Sequence, residues 1–398
     1  IRILYGFWGI ILAHAFYNFP VFLRIVSSAW EKLPGRFENA ARTLGADKRQ
    51  VFFAVTLPSL LPSILAAGTL VFIYCFTSFS IVLTLGGVRY SNVETGIFYA
   101  LTRNLDIGLA AGLALAQFAV LLFGVGMSEW FAKKSSFQDQ EFEEKKKKPN
   151  IAVYFLVCLV LLSTILPFLG LFFFSISGEN GFSIKAFEEI FFSTRTSLTG
   201  ATAVSSIFNS LLFASIATMI STLAGLSLAI YGKNKKNGFL GTLATGILAV
   251  SGVTLGTGYL LGFGTGNWLL VPLAHAVVSL PFSFKIISNE LKRMPDETIF
   301  AAKVLGATVT QTLARVEIPA IKSAIIASAG FSFAISLGEL GLALLLTEGK
   351  YPTMPVYIYR FISTYNVFSA AAMGIVLMVF SAACFYMIEK MNPKTNLV

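Results

Sequence analysis

Long apolar runs separated by short polar segments organise this chain. Runs at 5–30, 58–85 and 107–132 are followed, after a charged stretch, by runs at roughly 151–176, 201–231, 239–263, 267–290, 318–347 and 366–389. Each is near or above the ~20 residues a helix needs to cross a hydrocarbon core. The pattern predicts an all-α integral membrane protein with about nine crossings. Residues 88–105 and 178–200 are mixed and predict short helices resting at the surface.

One polar segment between two apolar runs occurs twice. Residues 34–58 read PGRFENAARTLGADKRQVFFAVTLP, and residues 295–319 read PDETIFAAKVLGATVTQTLARVEIP. Ala40, Ala41, Leu44, Gly45, Ala46, Val55 and Pro58 recur as Ala301, Ala302, Leu305, Gly306, Ala307, Val316 and Pro319, all at a spacing of 261 (295 − 34 = 261) and without a gap. Pro34 and Pro295 each open a helix, where a missing N–H costs nothing. Ala40, Ala41 and Leu44 put small apolar surface on one face. Gly45 can adopt a left-handed conformation cheaply, so it is placed to stop the helix and turn the chain. The segment predicts a short helix and a sharp turn outside the bilayer, with an alanine face suited to docking in a partner's groove.

Ala-Ala, three residues, glycine, then nine residues to an aliphatic–x–aliphatic–proline ending resembles the EAA loop of ABC importer permeases. Residues 40–58 and 301–319 both fit that spacing. The glutamate that opens the family motif is replaced by Asn39 and Phe300, with Glu38 one residue early in the first copy. The resemblance implies the type I permease fold with two pseudo-symmetric domains: 1–132 as the last three spans of the first, 133–150 as a charged cytoplasmic linker, and 151–398 as a complete second domain of six spans. It continues through 208–230, which resembles the opening core helix of such a domain, and through Ala13-His14-Ala15, Pro20 and Pro34, repeated as Ala274-His275-Ala276, Pro281 and Pro295. SFSIVLTLGG at 78–87, with Glu94 and Ile97-Phe98-Tyr99, is similar to the thiamine and fused ferric-iron permease branch. Polyamine or anion import on the same fold is the alternative.

Composition agrees with the class. Hydrophobic residues are 56% and charged residues 13%, and the mean hydropathy is +0.75. Thirty-three glycines at that hydropathy read as close helix packing. A pI near 9.4 raises nucleic acid, but the basic residues cluster between apolar runs and serve orientation instead. Segments 24–49, 133–149, 232–238 and 285–303 carry six, six, three and four basic residues and fall on one face, which is therefore cytoplasmic. The opposite loops 86–105, 178–200 and 348–365 carry about two each. Cys75, Cys158 and Cys384 lie far apart inside apolar runs and suggest neither disulfides nor a metal site.

The first copy has no counterpart to the three apolar runs that precede residue 274 in the second. About 110 residues and three spans are therefore expected upstream of Ile1, giving twelve spans in all. Glu339 is the one acidic residue deep in an apolar run, and its repeat equivalent is Ser78 (339 − 261 = 78). A carboxylate there suits a cationic solute, so Glu339 and Ser78, with the matched pair His14 and His275, are candidate pathway residues. Duplication alone would equally place two histidines at matched positions. The glycines from 256 to 266 lack a strand–turn–helix context, and neither Gly232-Lys233 nor Gly349-Lys350 has the glycine a P-loop needs. The chain is thus expected to be a transport subunit rather than an enzyme. An integral-membrane transferase would need an acid–base or metal cluster, and a passive scaffold would not need two docking turns.

By resemblance, the turns at 34–49 and 295–310 seat on two ATP-binding cassette subunits, which bind the ATP, while this chain holds no cofactor or metal. An extracytoplasmic solute-binding protein delivers substrate at the opposite mouth, in a bacterial cytoplasmic (inner) membrane. Closure of the ATPase pair would rock the halves between inward and outward access.

Overall fold

The computed structural model describes residues 5–87, 89–134, 151–178, 181–192, 201–233, 244, 246–264, 266–347 and 349–391. It divides into two compact units, Ile1–Pro167 and Phe168–Val398, and the division falls within a single helix at Ile151–Ser175. Residues 135–150, most of the expected charged linker, lie outside the described residues.

The first unit runs through α1 (Phe7–Glu31), α2 (Gly35–Thr43), α3 (Lys48–Val51), a π turn at Phe52–Thr56, α4 (Leu57–Phe76), α5 (Ser80–Leu85), α6 (Val93–Thr102) and α7 (Ile107–Lys134). Then come α8 (Ile151–Ser175), a two-residue hairpin pairing Ser177–Gly178 with Gly181–Phe182, and α9 (Lys185–Phe192). The rest of the second unit is α10 (Ala203–Lys233), α11 (Gly252–Phe263), α12 (Leu270–Arg293), α13 (Asp296–Val304), α14 (Val309–Thr312), a π turn at Leu313–Glu317, α15 (Ile318–Ala320), α16 (Lys322–Gly338), α17 (Gly341–Leu346), α18 (Met354–Ser363) and α19 (Val367–Met391). Helices dominate because a bilayer core offers no water to satisfy backbone groups, and a helix satisfies them within itself.

Packing in the second unit centres on α10, α12 and α16, which lie against one another. Small residues permit this. A methyl group on Gly225 would lie 2.8 Å from the Cβ of Ser283 and 3.0 Å from the backbone nitrogen of Phe284, so the two helices touch through that glycine. Beside it, one buried serine from each helix closes a hydroxyl cluster: Ser221 to Ser283 at 2.9 Å, Ser283 to Ser332 at 2.7 Å and Ser221 to Ser332 at 3.3 Å. Each hydroxyl can donate once and accept twice, so the three satisfy one another without water.

Polar ties at the two ends of α10 fix its direction. At one end the amide of Met354 donates to Ser210 Oγ at 2.7 Å, Asn209 donates to the Pro352 carbonyl at 3.1 Å, and the Tyr357 hydroxyl donates to the Ala201 carbonyl at 3.0 Å. At the other end Lys233 pairs with Glu317 at 3.6 Å, beside the second polar repeat. The end of α10 and the end of α12 therefore face the same side of this unit.

Seven described helices are long and apolar enough to span, or eight if the bent pair Val309–Ala320 and Lys322–Gly338 counts as one crossing. Three expected runs are organised differently from unbroken helices. The 58–85 run breaks between Phe76 and Ser80, and the 318–347 run breaks between Gly338 and Gly341. In the 239–263 run, residues 239–243 lie outside the described residues, and the helix proper begins only at Gly252. Ser251 caps it by accepting from the Thr254 amide at 3.0 Å, and Gly264, at φ 74°, ends it. At ~1.5 Å per residue this helix reaches about 18 Å, short of the ~30 Å core.

The glycine contacts lead to a paired prediction. Gly225→Ala should lower the melting temperature of the detergent-purified protein by an amount corresponding to roughly 1–3 kcal/mol, because backbone and Cβ atoms of α12 must give way. Gly258→Ala, whose added methyl meets nothing within 4 Å, should be neutral or slightly stabilising. Thermal unfolding of the two variants side by side checks this, and equal shifts would refute the close-packing account.

Candidate functional site

The two polar repeats fold alike, almost residue for residue. In the first, α2 ends in a paired closure: the Gly45 amide donates to the Arg42 carbonyl at 2.9 Å and the Ala46 amide to the Ala41 carbonyl at 3.0 Å. In the second, Gly306 donates to Lys303 at 3.0 Å and Ala307 to Ala302 at 3.1 Å. Gly45 and Gly306 have φ of 90° and 82°, a left-handed backbone that a side chain would strain. After each turn a capping box restarts the helix, from Asp47 with Gln50 and from Thr308 with Gln311.

A π turn then follows in both copies. The amides of Leu57 and Ile318 donate to carbonyls five residues back, at Phe52 and Leu313. The next residues, Pro58 and Pro319, have no N–H to give, so the regular ladder is interrupted there in any case. Ala40 and Ala301 are exposed, and Ala41, Ala46, Ala302 and Ala307 are half-buried. Leu44 and Leu305 stand 88% and 87% exposed at the turn tips. An apolar side chain so placed in both copies is surface without a partner inside its own unit.

Each docking element is tied to its own unit through a different acid. Glu38 accepts from Thr56 Oγ1 at 2.8 Å and lies 3.8 Å from Arg42, so it braces α2 against the π turn. At the position of Thr56 the second copy has Glu317, which reaches Lys233 at the end of α10 instead.

The interrupted helices also recur. Ser78 lies in the break between α4 and α5, and Glu339 in the matching break between α16 and α17. The Ser78 carbonyl accepts from Asn92 Nδ2 at 2.9 Å. Glu339 Oε1 accepts from the Leu342 amide at 3.2 Å, and a methyl group on Gly252 would lie 3.2 Å from the same oxygen. The half-buried carboxylate thus sits at the N-terminus of α17 and against the first residue of α11, where unpaired amides favour negative charge. The hydroxyl of Ser336, three residues earlier, meets His275 Nδ1 at 2.7 Å.

His275 is buried between α12 and α16 at 1% exposure, and its Nε2 has no hydrogen-bond partner among the described residues. His14, in α1, is half-buried and its Nε2 is likewise without one. Cys75 is the repeat equivalent of Ser336 (336 − 261 = 75), as His14 is of His275. In the first copy Asn18 donates to Cys75 Sγ at 3.4 Å and to the His14 carbonyl at 2.9 Å.

Glu94, noted in the sequence only as part of the resemblance, belongs to a buried polar couple. On the first turn of α6 it is fully buried and accepts from Gln117 Nε2 of α7 at 2.6 Å. The partner was missed, and an amide inside the apolar run of α7 is the signal that could have pointed to it. Among the described residues no group of three or more His, Cys, Asp or Glu side chains is placed to hold a metal ion.

Several relatives are similar to this chain over most of its length. The thiamine transport system permease protein ThiP of Escherichia coli (strain K12) is 27% identical over 98% of this chain and 75% of its own length. ThiP of Brucella suis is 24% identical over 94% of this chain and 69% of its own. Among solved structures, a bacterial ABC transporter involved in import of the acidic polysaccharide alginate aligns with a TM-score of 0.48 and 17% identity, covering 62% of this chain and 98% of that one. Residues 2–136 and 149–396 match the family described as the binding-protein-dependent transport system inner membrane component, so the chain belongs to that family and is a multi-pass inner-membrane permease subunit of an ABC importer, not an enzyme.

Proposed function

We propose that the chain is the permease of a thiamine importer, worked by ATP-hydrolysing subunits on the cytoplasmic side and supplied by a solute-binding protein outside. Similarity to thiamine permeases along 94–98% of the chain is the observation that carries the substrate. The doubled turn, with a left-handed glycine and an exposed leucine at each tip, supports ATPase docking. Closure of the ATPase pair pushes on α2 and α13, and the π turns and prolines pass that movement into α4 and α16.

Interrupted helices at matching positions of two halves are the best bottom-up pointer to a transporter's substrate site. Ser78 and Glu339 occupy those interruptions. Glu339 brings a carboxylate to one of them, which suits the positively charged thiazolium ring of thiamine and would hinder an anion.

Two measurements test this. Gly45→Val together with Gly306→Val should leave membrane insertion and yield intact, because an added methyl at either position meets nothing within 4 Å. Turn geometry should nevertheless be lost, at on the order of 1–2 kcal/mol per residue, and with it transport and substrate-stimulated ATP hydrolysis. Normal transport by this double variant would rule out the docking reading.

The second measurement is thiamine uptake into proteoliposomes with expression-matched Glu339 variants. Glu339→Gln keeps an oxygen to cap Leu342 but loses the charge, and should lower uptake several-fold. Glu339→Lys should abolish it. If Glu339→Gln transports as well as the parent, the carboxylate is only a helix cap.

A further inference from the structure

The two docking elements share a backbone but not a surface. Over 34–50 the first carries Arg36, Arg42, Lys48 and Arg49 against Glu38 and Asp47, a sum of +2 (4 − 2). Over 295–311 the second carries Lys303 against Asp296 and Glu297, a sum of −1 (1 − 2). The difference lies in the groups that face outward. Arg36, Lys48 and Arg49 are all exposed, and at the equivalent positions stand Glu297, Val309 and Thr310, also exposed. Apolar surface differs in the opposite sense. Phe300, Val304 and Val309 are 69%, 70% and 75% exposed, where the first copy has Asn39, Thr43 and Lys48.

The arms behind the turns differ as well. Lys48–Phe76 is one continuous helical span, whereas Val309–Ala320 and Lys322–Gly338 meet at a 67° bend.

Resting on the docking reading above, we infer that the two turns are not interchangeable. The first engages an acidic rim on its ATP-hydrolysing subunit through Arg36, Lys48 and Arg49 and carries the salt-sensitive share of assembly. The second seats through Phe300, Val304, Leu305 and Val309. If the two ATPase subunits are identical copies, one rim cannot complement both Arg36 and Glu297, so the first turn is the primary attachment. Rim charges act chiefly on encounter and salt dependence, and buried apolar groups on the lifetime of the complex.

Attraction to anionic lipid is the competing use for these basic groups. It is disfavoured because a lipid-directed charge would serve the second turn equally, and that turn, with the same backbone and also between apolar runs, sums to −1.

Exchange variants test the inference. Arg36→Glu, Lys48→Val and Arg49→Thr place the second copy's residues in the first. Glu297→Arg, Val309→Lys and Thr310→Arg do the reverse. Each residue is taken from a position with the same backbone conformation, so both triple variants should fold. Binding of the ATP-hydrolysing subunit to the full chain in zwitterionic nanodiscs is measured from about 50 to about 300 mM NaCl.

The first exchange should weaken binding about tenfold at low salt and flatten its salt dependence. The reverse exchange should tighten low-salt binding and steepen it. A common salt dependence for parent and both variants would overturn the inference, and so would an effect seen only in nanodiscs containing phosphatidylglycerol. The docking reading stands or falls separately, on whether the Gly45→Val, Gly306→Val protein loses the subunit that the parent captures.

Discussion

Every backbone amide and carbonyl held away from water must find a partner inside the protein, and the placement of irregular structure in this chain follows from that demand. Where a span is unbroken, the helix meets it. Where α4 gives way to α5, Asn92 reaches over to the freed carbonyl of Ser78. Where α16 gives way to α17, the Glu339 carboxylate takes the amide of Leu342. At the docking turns, six backbone groups per copy are closed by three hydrogen bonds, from Leu44, Gly45 and Ala46 and from Leu305, Gly306 and Ala307. Asn92 and Glu339 thus serve the points where the ladder stops, whereas Ser221, Ser283 and Ser332 join helices that are themselves continuous.

Duplication preserves this backbone solution while letting side chains drift. The paired closure, capping box and π turn recur at one spacing although Asp47 is replaced by Thr308 and Thr56 by Glu317. Cap chemistry tolerates the first exchange because either oxygen can accept the third amide of the helix. Conformation allows no such latitude at Gly45 and Gly306, where a left-handed φ is required. Inside the bundle the drift is wider. His275 finds Ser336, whereas Cys75, the repeat equivalent of Ser336, is contacted by Asn18.

Sequence alone made the doubled helix–turn–helix elements and the membrane class legible, because each rests on strong local signals: a glycine at a helix end, a proline at a span entry, and apolar runs of known length. The breaks at residues 77–79 and 339–340 were not legible. Hydropathy averages over a window, and a run of apolar residues has the same average whether or not its helix is continuous. Ser221, Ser283 and Ser332 were invisible for a related reason. Serine is common in membrane helices, and only tertiary structure shows three of them meeting. Glu339 was singled out by its charge, but not the amide it caps, because that depends on where α17 begins.

The docking proposed above would move the rest of each unit by a different route in the two copies, and charge pairing accounts for the difference. In the first unit Glu38 turns back onto Thr56, so α2 is braced against the π turn it feeds, and a push on α2 would pass along the continuous span Lys48–Phe76. In the second, Glu317 leaves its own segment to meet Lys233. That pair is largely shielded, with side-chain exposures of 13% and 20%, so separating it would strand charges of opposite sign in a poorly solvated place. A push on α13, as proposed above, would thus be shared at once with α10, and through the serine cluster with α12 and α16. The 67° bend at Ile321 fits this, since a turn linked sideways to α10 need not push straight along α16.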